Sequence, residues 1–117
     1  MLKIMDVEFF DNFTKSDPDM EKMFFDVFFE CAEEYIETLE NRCAIENDDE
    51  WKRTAHSFKG GAANLGAEIL AKSCKDAEFS SKDNFEIKKN LVEIIKSDYE
   101  DLKGFIKDNN PDYKFSV

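Results

Sequence analysis

Interruptions are what this sequence most lacks. In 117 residues it places two prolines, Pro18 and Pro111, and four glycines. Between them apolar residues recur three and four positions apart rather than two, so the chain reads as all-α. Asp17 followed by Pro18 has the form of an N-cap with proline in the first turn, opening a helix from about 18 to 45. Asn47, Asp48 and Asp49 cap a second helix of about 49 to 65, which Gly66 ends in the C′ position. A third helix is expected from about 68 to 81. A fourth starts at Ser81 or Asp83, carries Ile87, Leu91, Ile94, Ile95, Leu102, Phe105 and Ile106, and stops at Asn109, Asn110 and Pro111.

Connections of a few residues force neighbouring helices to run antiparallel. The expected fold is therefore an antiparallel up-down-up-down four-helix bundle. Val7, Phe9, Phe10 and Phe13 suggest a short extra N-terminal helix packed across it. On this reading residues 1–117 are one domain, with 1–16 as a cover segment, 18–109 as the bundle and 110–117 as a C-terminal tail.

Charge narrows the partners. With 16 Lys and Arg against 27 Asp and Glu, the formal net charge of -11 repels phosphate backbones and anionic lipid surfaces. No nucleic acid or membrane partner is expected. Cys31, Cys43 and Cys74 are odd in number, far apart and without a CxxC pair, which argues for reduced thiols that pack in a cytoplasmic protein. The start, MLKIMDVEFFD, turns acidic by Asp6 and lacks the apolar run of a signal peptide. EF-hand spacing, HExxH, GxxxxGK[ST] and GxGxxG are all missing, so neither a bound metal nor ATP binding is expected.

The second helix carries the chemistry. Trp51, Ala55, Phe58, Ala62 and Leu65 form one core-facing stripe. At about 100° per residue His56, the only histidine, falls roughly 140° from that stripe, on the solvent side. Lys52, Lys59, Gly60 and Ala63 share its face. Two cations thus flank the imidazole while small residues leave room for a bulky anion, an arrangement suited to accepting a phosphoryl group. Gly60 and Gly61 each cost about 1 kcal/mol relative to alanine inside a helix. Steric access to His56 accounts for Gly60, whereas Gly61, at roughly 280° on the same count, suits close helix packing. A metal or haem at His56 would need a second ligand, and none is near in sequence.

The stretch TAHSFKGGAANLGAEILAKSCKDAE, Thr54 to Glu78, resembles the core of histidine-containing phosphotransfer (HPt) domains, in which a histidine is followed by x-x-Lys-Gly, small residues and a Leu-Gly pair. His56, Lys59, Gly60, Gly61, Ala62, Asn64, Leu65, Gly66 and Ala67 carry the match. The resemblance implies a phosphorelay intermediate. His56 would accept a phosphoryl group on Nε2 from the aspartyl phosphate of a receiver domain and pass it to another. Lys59 would neutralise phosphoryl oxygens and Gly60 would leave them space. Glu78 stands where the family often has a glutamine that bonds the other ring nitrogen. Lys82, one turn further on, aligns with a position that is often basic and would help hold the phosphate.

The partners implied are receiver domains of response regulators or a hybrid sensor histidine kinase, with magnesium supplied by the receiver. The chain itself would be a phosphocarrier without kinase activity or bound cofactor, and a monomer. The alternative is a helical adaptor that docks on a receiver or kinase without being phosphorylated. An adaptor has no use for a helix-weakening glycine at position 60.

Along residues 20–40, Lys22, Asp26, Glu30, Glu33, Glu37 and Glu40 gather within roughly 80° of arc. Phe25, Phe29 and Ile36 lie off the centre of a stripe containing Phe24, Val27 and Cys31. Either the N-terminal segment with Phe9, Phe10 and Phe13 covers them, or part of this flank is an exposed apolar patch beside His56 on which a receiver docks.

Overall fold

The structure, a computed structural model, describes residues 1–45 and 47–115, without the side chains of 44 and 45. Five helices follow one another: α1 (Val7–Thr14), α2 (Pro18–Ile45), α3 (Asp48–Asn64), α4 (Glu68–Phe79) and α5 (Phe85–Asn109). Among the described residues there is no strand. Local chemistry sets the boundaries. Asp17 Oδ1 accepts from the amides of Asp19 and Met20 at the head of α2, and the Asn47 and Asn84 side chains cap α3 and α5 by accepting from Glu50 N and Ile87 N. Such caps satisfy amides that a first helical turn leaves without partners.

The end of α3 is a Schellman closure. Gly66 N donates to Ala63 O and Ala67 N to Ala62 O, with Gly66 at φ 77. A side chain at Gly66 would place its Cβ 2.8 Å from the Asp6 carbonyl oxygen, so glycine is required twice over. The close approach arises because the N-terminal strap crosses this turn. Asp6 N donates to Gly66 O, Ile69 N to Lys3 O, and Lys3 N to Glu68 Oε1. The expected N-terminal helix is α1, held to α2 by the Thr14 hydroxyl, which reaches both Phe10 O and Glu21 Oε2.

Helix α3 packs against α2 and α4, and α5 against α4 and α2, enclosing one core. Trp51, Ala55, Phe58, Ala62 and Leu65 are all buried in it, the stripe expected of α3. Trp51 Nε1 donates to Ala77 O at 2.7 Å and fixes α3 on α4. Above the indole, Lys88 of α5 is buried and bonds Asp48 Oδ1 at 2.6 Å, tying the starts of α3 and α5 together.

The rotation of α2 differs from the sequence expectation. Its core line runs through Phe25, Phe28, Phe29, Ala32, Leu39 and Cys43, whereas Val27 is 56% exposed and Phe24 and Cys31 are half-buried. The apolar residues of α2 span more arc than one interface can cover, and packing on both α3 and α5 selects the half centred on Phe25 and Phe29. Nor is the N-terminal segment their sole cover. Phe10 stacks on Phe25 at 5.1 Å between ring centroids, but Tyr113 and Phe115 of the tail pack on Phe25 and Phe29 at 5.0 and 4.8 Å. The Tyr113 hydroxyl donates to Asp26 Oδ1. Residues 116 and 117 of the expected tail lie outside the described residues. No helix of the described residues is long and apolar enough to cross a membrane.

Candidate functional site

Helix α3 turns His56 outward, as its angular position requires, and the imidazole is 66% exposed. Its Nδ1 lies 3.0 Å from Glu78 Oε2, on α4. An ionised carboxylate only accepts, so Nδ1 carries a proton, and in the neutral ring Nε2 is left with the free lone pair. The other oxygen of Glu78 accepts from Lys59 Nζ at 2.7 Å. Lys59 first, and His56 after it, hold the Glu78 carboxyl below the ordinary glutamate range against the opposing effect of burial. One carboxylate on α4 thus orders two side chains that stand three residues apart on α3.

Around the ring the surface is open. A Cβ added at Gly60 would meet nothing within 4 Å, and Ala63, a further turn along the same face, is exposed. Gly61 faces α2, where an added Cβ would sit 3.7 Å from Phe28 Cδ1 in ordinary contact. Helix packing there would therefore tolerate a methyl group, contrary to the tight approach expected from sequence. Lys52 is exposed one turn before His56, while Arg53 is occupied by Glu50 at 2.8 Å.

The structure brings His56, Lys59, Gly60 and Glu78 together, whereas Lys82, which the family resemblance aligned one turn beyond Glu78, lies off the helix. Helix α4 stops at Phe79 rather than near residue 81, because Ser80 N folds back on Ala77 O and Asp83 N on Ser80 O. Lys82 therefore occupies the exposed α4–α5 turn and forms no ion pair among the described residues. Phe25 and Phe29, candidates for an exposed patch, are 2% and 1% exposed and belong to the core. The exposed apolar residues nearest in sequence are Met20, Met23 and Val27 on α2, with Phe9 and Phe13 on α1. Sequence reasoning did not place Phe9 beside the end of α3. Together with Leu2, Asp6, Ala63, Gly66 and Ala71, Phe9 lines a hollow of about 330 Å³ that reaches Ala63. Its apolar character was visible in the sequence, but the path of the strap that positions it was not.

A helical domain that holds out one tautomerically fixed imidazole, with a lysine and an open glycine beside it, defines a class: proteins built to offer a single histidine to a partner. The Hpt domain family model matches residues 23–104, and the chain belongs to that family. Its fold is similar to the crystal structure of histidine-containing phosphotransfer protein B (HptB) from Pseudomonas aeruginosa PAO1, with 25% identity, a TM-score of 0.84, and coverage of 97% of this chain and 100% of that one. No curated protein sequence matches significantly. The chain is accordingly a histidine phosphotransfer intermediate of phosphorelays, and members of its family act with receiver domains of response regulators.

Proposed function

We propose that His56 is the phosphoryl acceptor. Nε2 attacks the phosphorus of a receiver's aspartyl phosphate, a P–N bond forms, and the P–O bond to the aspartate breaks with its electron pair returning to the carboxylate. The reverse step, at a second receiver, passes the group on. The observation that carries this reading is the Nδ1–Glu78 bond beside an empty Gly60 position, which leaves Nε2 as the available nucleophile with room for a phosphoryl group. Lys59 neutralises phosphoryl oxygens, and Lys82, from its turn, is a further cation for the docked complex. Phosphoryl transfer asks mainly for position and charge stabilisation, which these residues supply.

The domain acts as a carrier without kinase activity of its own, and magnesium comes with the receiver. The receiver, or a hybrid sensor kinase bearing one, docks on the exposed apolar side chains of α1 and α2, namely Phe9, Phe13, Met20, Met23 and Val27. The four long helices run as an up-down-up-down bundle, a reading supported by their short connections and the closed ring of contacts α2–α3–α4–α5. Residues 1–117 act as one domain and a monomer, since a histidine that meets two partners in turn must stay uncovered. Three unpaired cysteines support a cytoplasmic setting.

The test is incubation with a phosphorylated receiver domain and magnesium, followed by intact mass. One added phosphoryl group that is lost in acid, survives alkali and is missing in His56→Gln is the expected result. Label retained by His56→Gln would exclude His56 as acceptor, and receivers that bind but never transfer phosphate would leave an adaptor.

A further inference from the structure

The Glu78 carboxylate is split between two clients, His56 Nδ1 at 3.0 Å and Lys59 Nζ at 2.7 Å. A group that only oriented the imidazole would not need a charge, because an amide oxygen also accepts from Nδ1–H. Resting on the phosphorelay reading above, we propose that Glu78 makes phosphorylated His56 a labile donor and biases the shared equilibrium towards the receiver.

The carboxylate speeds departure through the ring proton, and it weakens the phosphorylated state through two effects of its charge. When the phosphoryl group leaves, the P–Nε2 bond breaks and its electron pair returns to Nε2 as the P–O bond to a receiver aspartate forms. With a proton retained on Nδ1 the ring departs as neutral imidazole; without it the ring would depart as an imidazolate anion. Glu78 accepts the hydrogen bond from that Nδ1–H, and a charge-assisted bond holds the proton more firmly than a neutral one. The same carboxylate engages the Lys59 ammonium, so an arriving phosphoryl group must share that cation. Finally, its own negative charge lies across the ring from the phosphoryl dianion.

On α3, Lys52, Arg53 and Lys59 stand within about a turn of His56; on α4, Lys75 stands one turn before Glu78, and Lys82 lies in the turn that follows the helix. Of these only Glu78 hydrogen-bonds the imidazole, and Lys75 rests over the Phe79 ring. The Glu78 side chain is 12% exposed and keeps its charge through the neutral range, because Lys59 and His56 hold its carboxyl below the usual value.

Glu78→Gln separates charge from orientation, since it keeps an oxygen acceptor in the same place. Both proteins are loaded with phosphoramidate, so loading does not depend on a receiver. Their phosphohistidine lifetimes are then followed against pH, and their phosphoryl equilibrium with one receiver is measured. At about pH 8 the variant should hold its phosphoryl group about fivefold longer, on the scale that separates charge-assisted from neutral hydrogen bonds, and its equilibrium should move towards His56 as the Lys59 ammonium is freed for the phosphoryl oxygens. The two lifetimes should converge as the pH falls, since bulk protons then supply what the carboxylate otherwise retains. Glu78→Asp, which restores the charge, should recover part of the wild-type lability. A residue that merely orients the ring changes forward and reverse rates together and leaves the equilibrium constant alone. Unchanged lifetime and equilibrium, or a shorter lifetime in Glu78→Gln, would overturn the proposal. Wild-type protein that takes no label, or keeps it in His56→Gln, would instead bring down the phosphorelay reading itself.

Discussion

Gly60 is a position where stability and access to the histidine can be set against each other by measurement. Glycine inside a helix costs about 1 kcal/mol relative to alanine, through backbone entropy that is lost on folding. An alanine Cβ at Gly60 would meet nothing within 4 Å, so no steric term opposes that gain. Gly60→Ala should therefore stabilise the fold by about 1 kcal/mol. For a chain of 117 residues the unfolding entropy is about 0.25 kcal/mol/K, which makes the rise in Tm about 4 °C. Gly60→Gln should also raise the Tm, since glutamine is a good helix former, yet its side chain reaches over a ring that shares its face one turn away. Phosphoryl acceptance should then fall by at least about tenfold, a loss of roughly 1.4 kcal/mol in transition-state stabilisation. Gly61→Ala is the internal control. Its Cβ makes an ordinary 3.7 Å contact with Phe28, so it should stabilise by a similar amount and leave transfer unchanged. Thermal unfolding by circular dichroism, paired with initial rates of acceptance from a phosphorylated receiver, reads both quantities. Normal transfer by Gly60→Gln, or a lowered Tm in Gly60→Ala, would refute the reasoning.

Gly66→Ala should behave in the opposite way, losing about 1 to 3 kcal/mol in denaturant unfolding, because φ 77 and a 2.8 Å approach to the Asp6 oxygen both exclude a side chain. Cys31, half-buried, should react first with a thiol reagent in the native protein. Cys43, whose thiol burial pushes up to about 11, and the buried Cys74, pushed higher still, should react only on unfolding; equal rates for all three would contradict the packing. Glu78 and Asp26 have carboxyls held below their ordinary values of 4.5 and 3.8, by Lys59 and then His56 for the first and by Lys22 and then Tyr113 for the second. The stability each contributes is present above those values and lost as the pH falls through the folded-state ones. Glu78→Gln and Asp26→Asn should each flatten the acid limb of stability against pH, and an unchanged limb would sink the assignment.

How far the sequence was readable depended on how local the deciding physics was. The limits of α3 follow from Asn47 and from Gly66, both of which act within one turn, and the outward position of His56 follows from helix geometry alone. The core face of α2 could not be chosen in this way. Its polar arc was evident, but Phe25 and Val27 are equally apolar neighbours, and only the positions of α3, α5 and the tail decide that one is buried and the other exposed. The aromatic cover formed by Tyr113 and Phe115 was hidden for the same reason, since it closes onto Phe25 and Phe29 from more than eighty residues away. Helix α4 was drawn two residues too long because no glycine or proline marks its end; Ser80 and Asp83 make that turn with backbone bonds alone. Lys15 and Ser16 likewise adopt left-handed conformations, at φ 54 and 55, at a junction that contains no glycine to announce it. Glu78 became a candidate through the family pattern, since nothing in its helical spacing sets the register of α4 on α3.

The large net negative charge and an anionic cargo are compatible because the two act over different distances. At physiological ionic strength, charges separated by more than about 8 Å are largely screened, so most of the chain's carboxylates do not reach a phosphoryl group at His56. With His56 as the proposed acceptor, what the group would meet is local, namely Lys52, a Lys59 shared with Glu78, and the open position at Gly60. The summed field still governs encounter, and it disfavours extended polyanions that would occupy many sites at once. A net negative charge that disfavours extended polyanions is thus compatible with one dianion at one point. On the proposal made for Glu78, the balance at that point turns on its ion pair with Lys59, so removing the carboxylate is expected to alter how long the phosphoryl group stays and not merely whether it arrives.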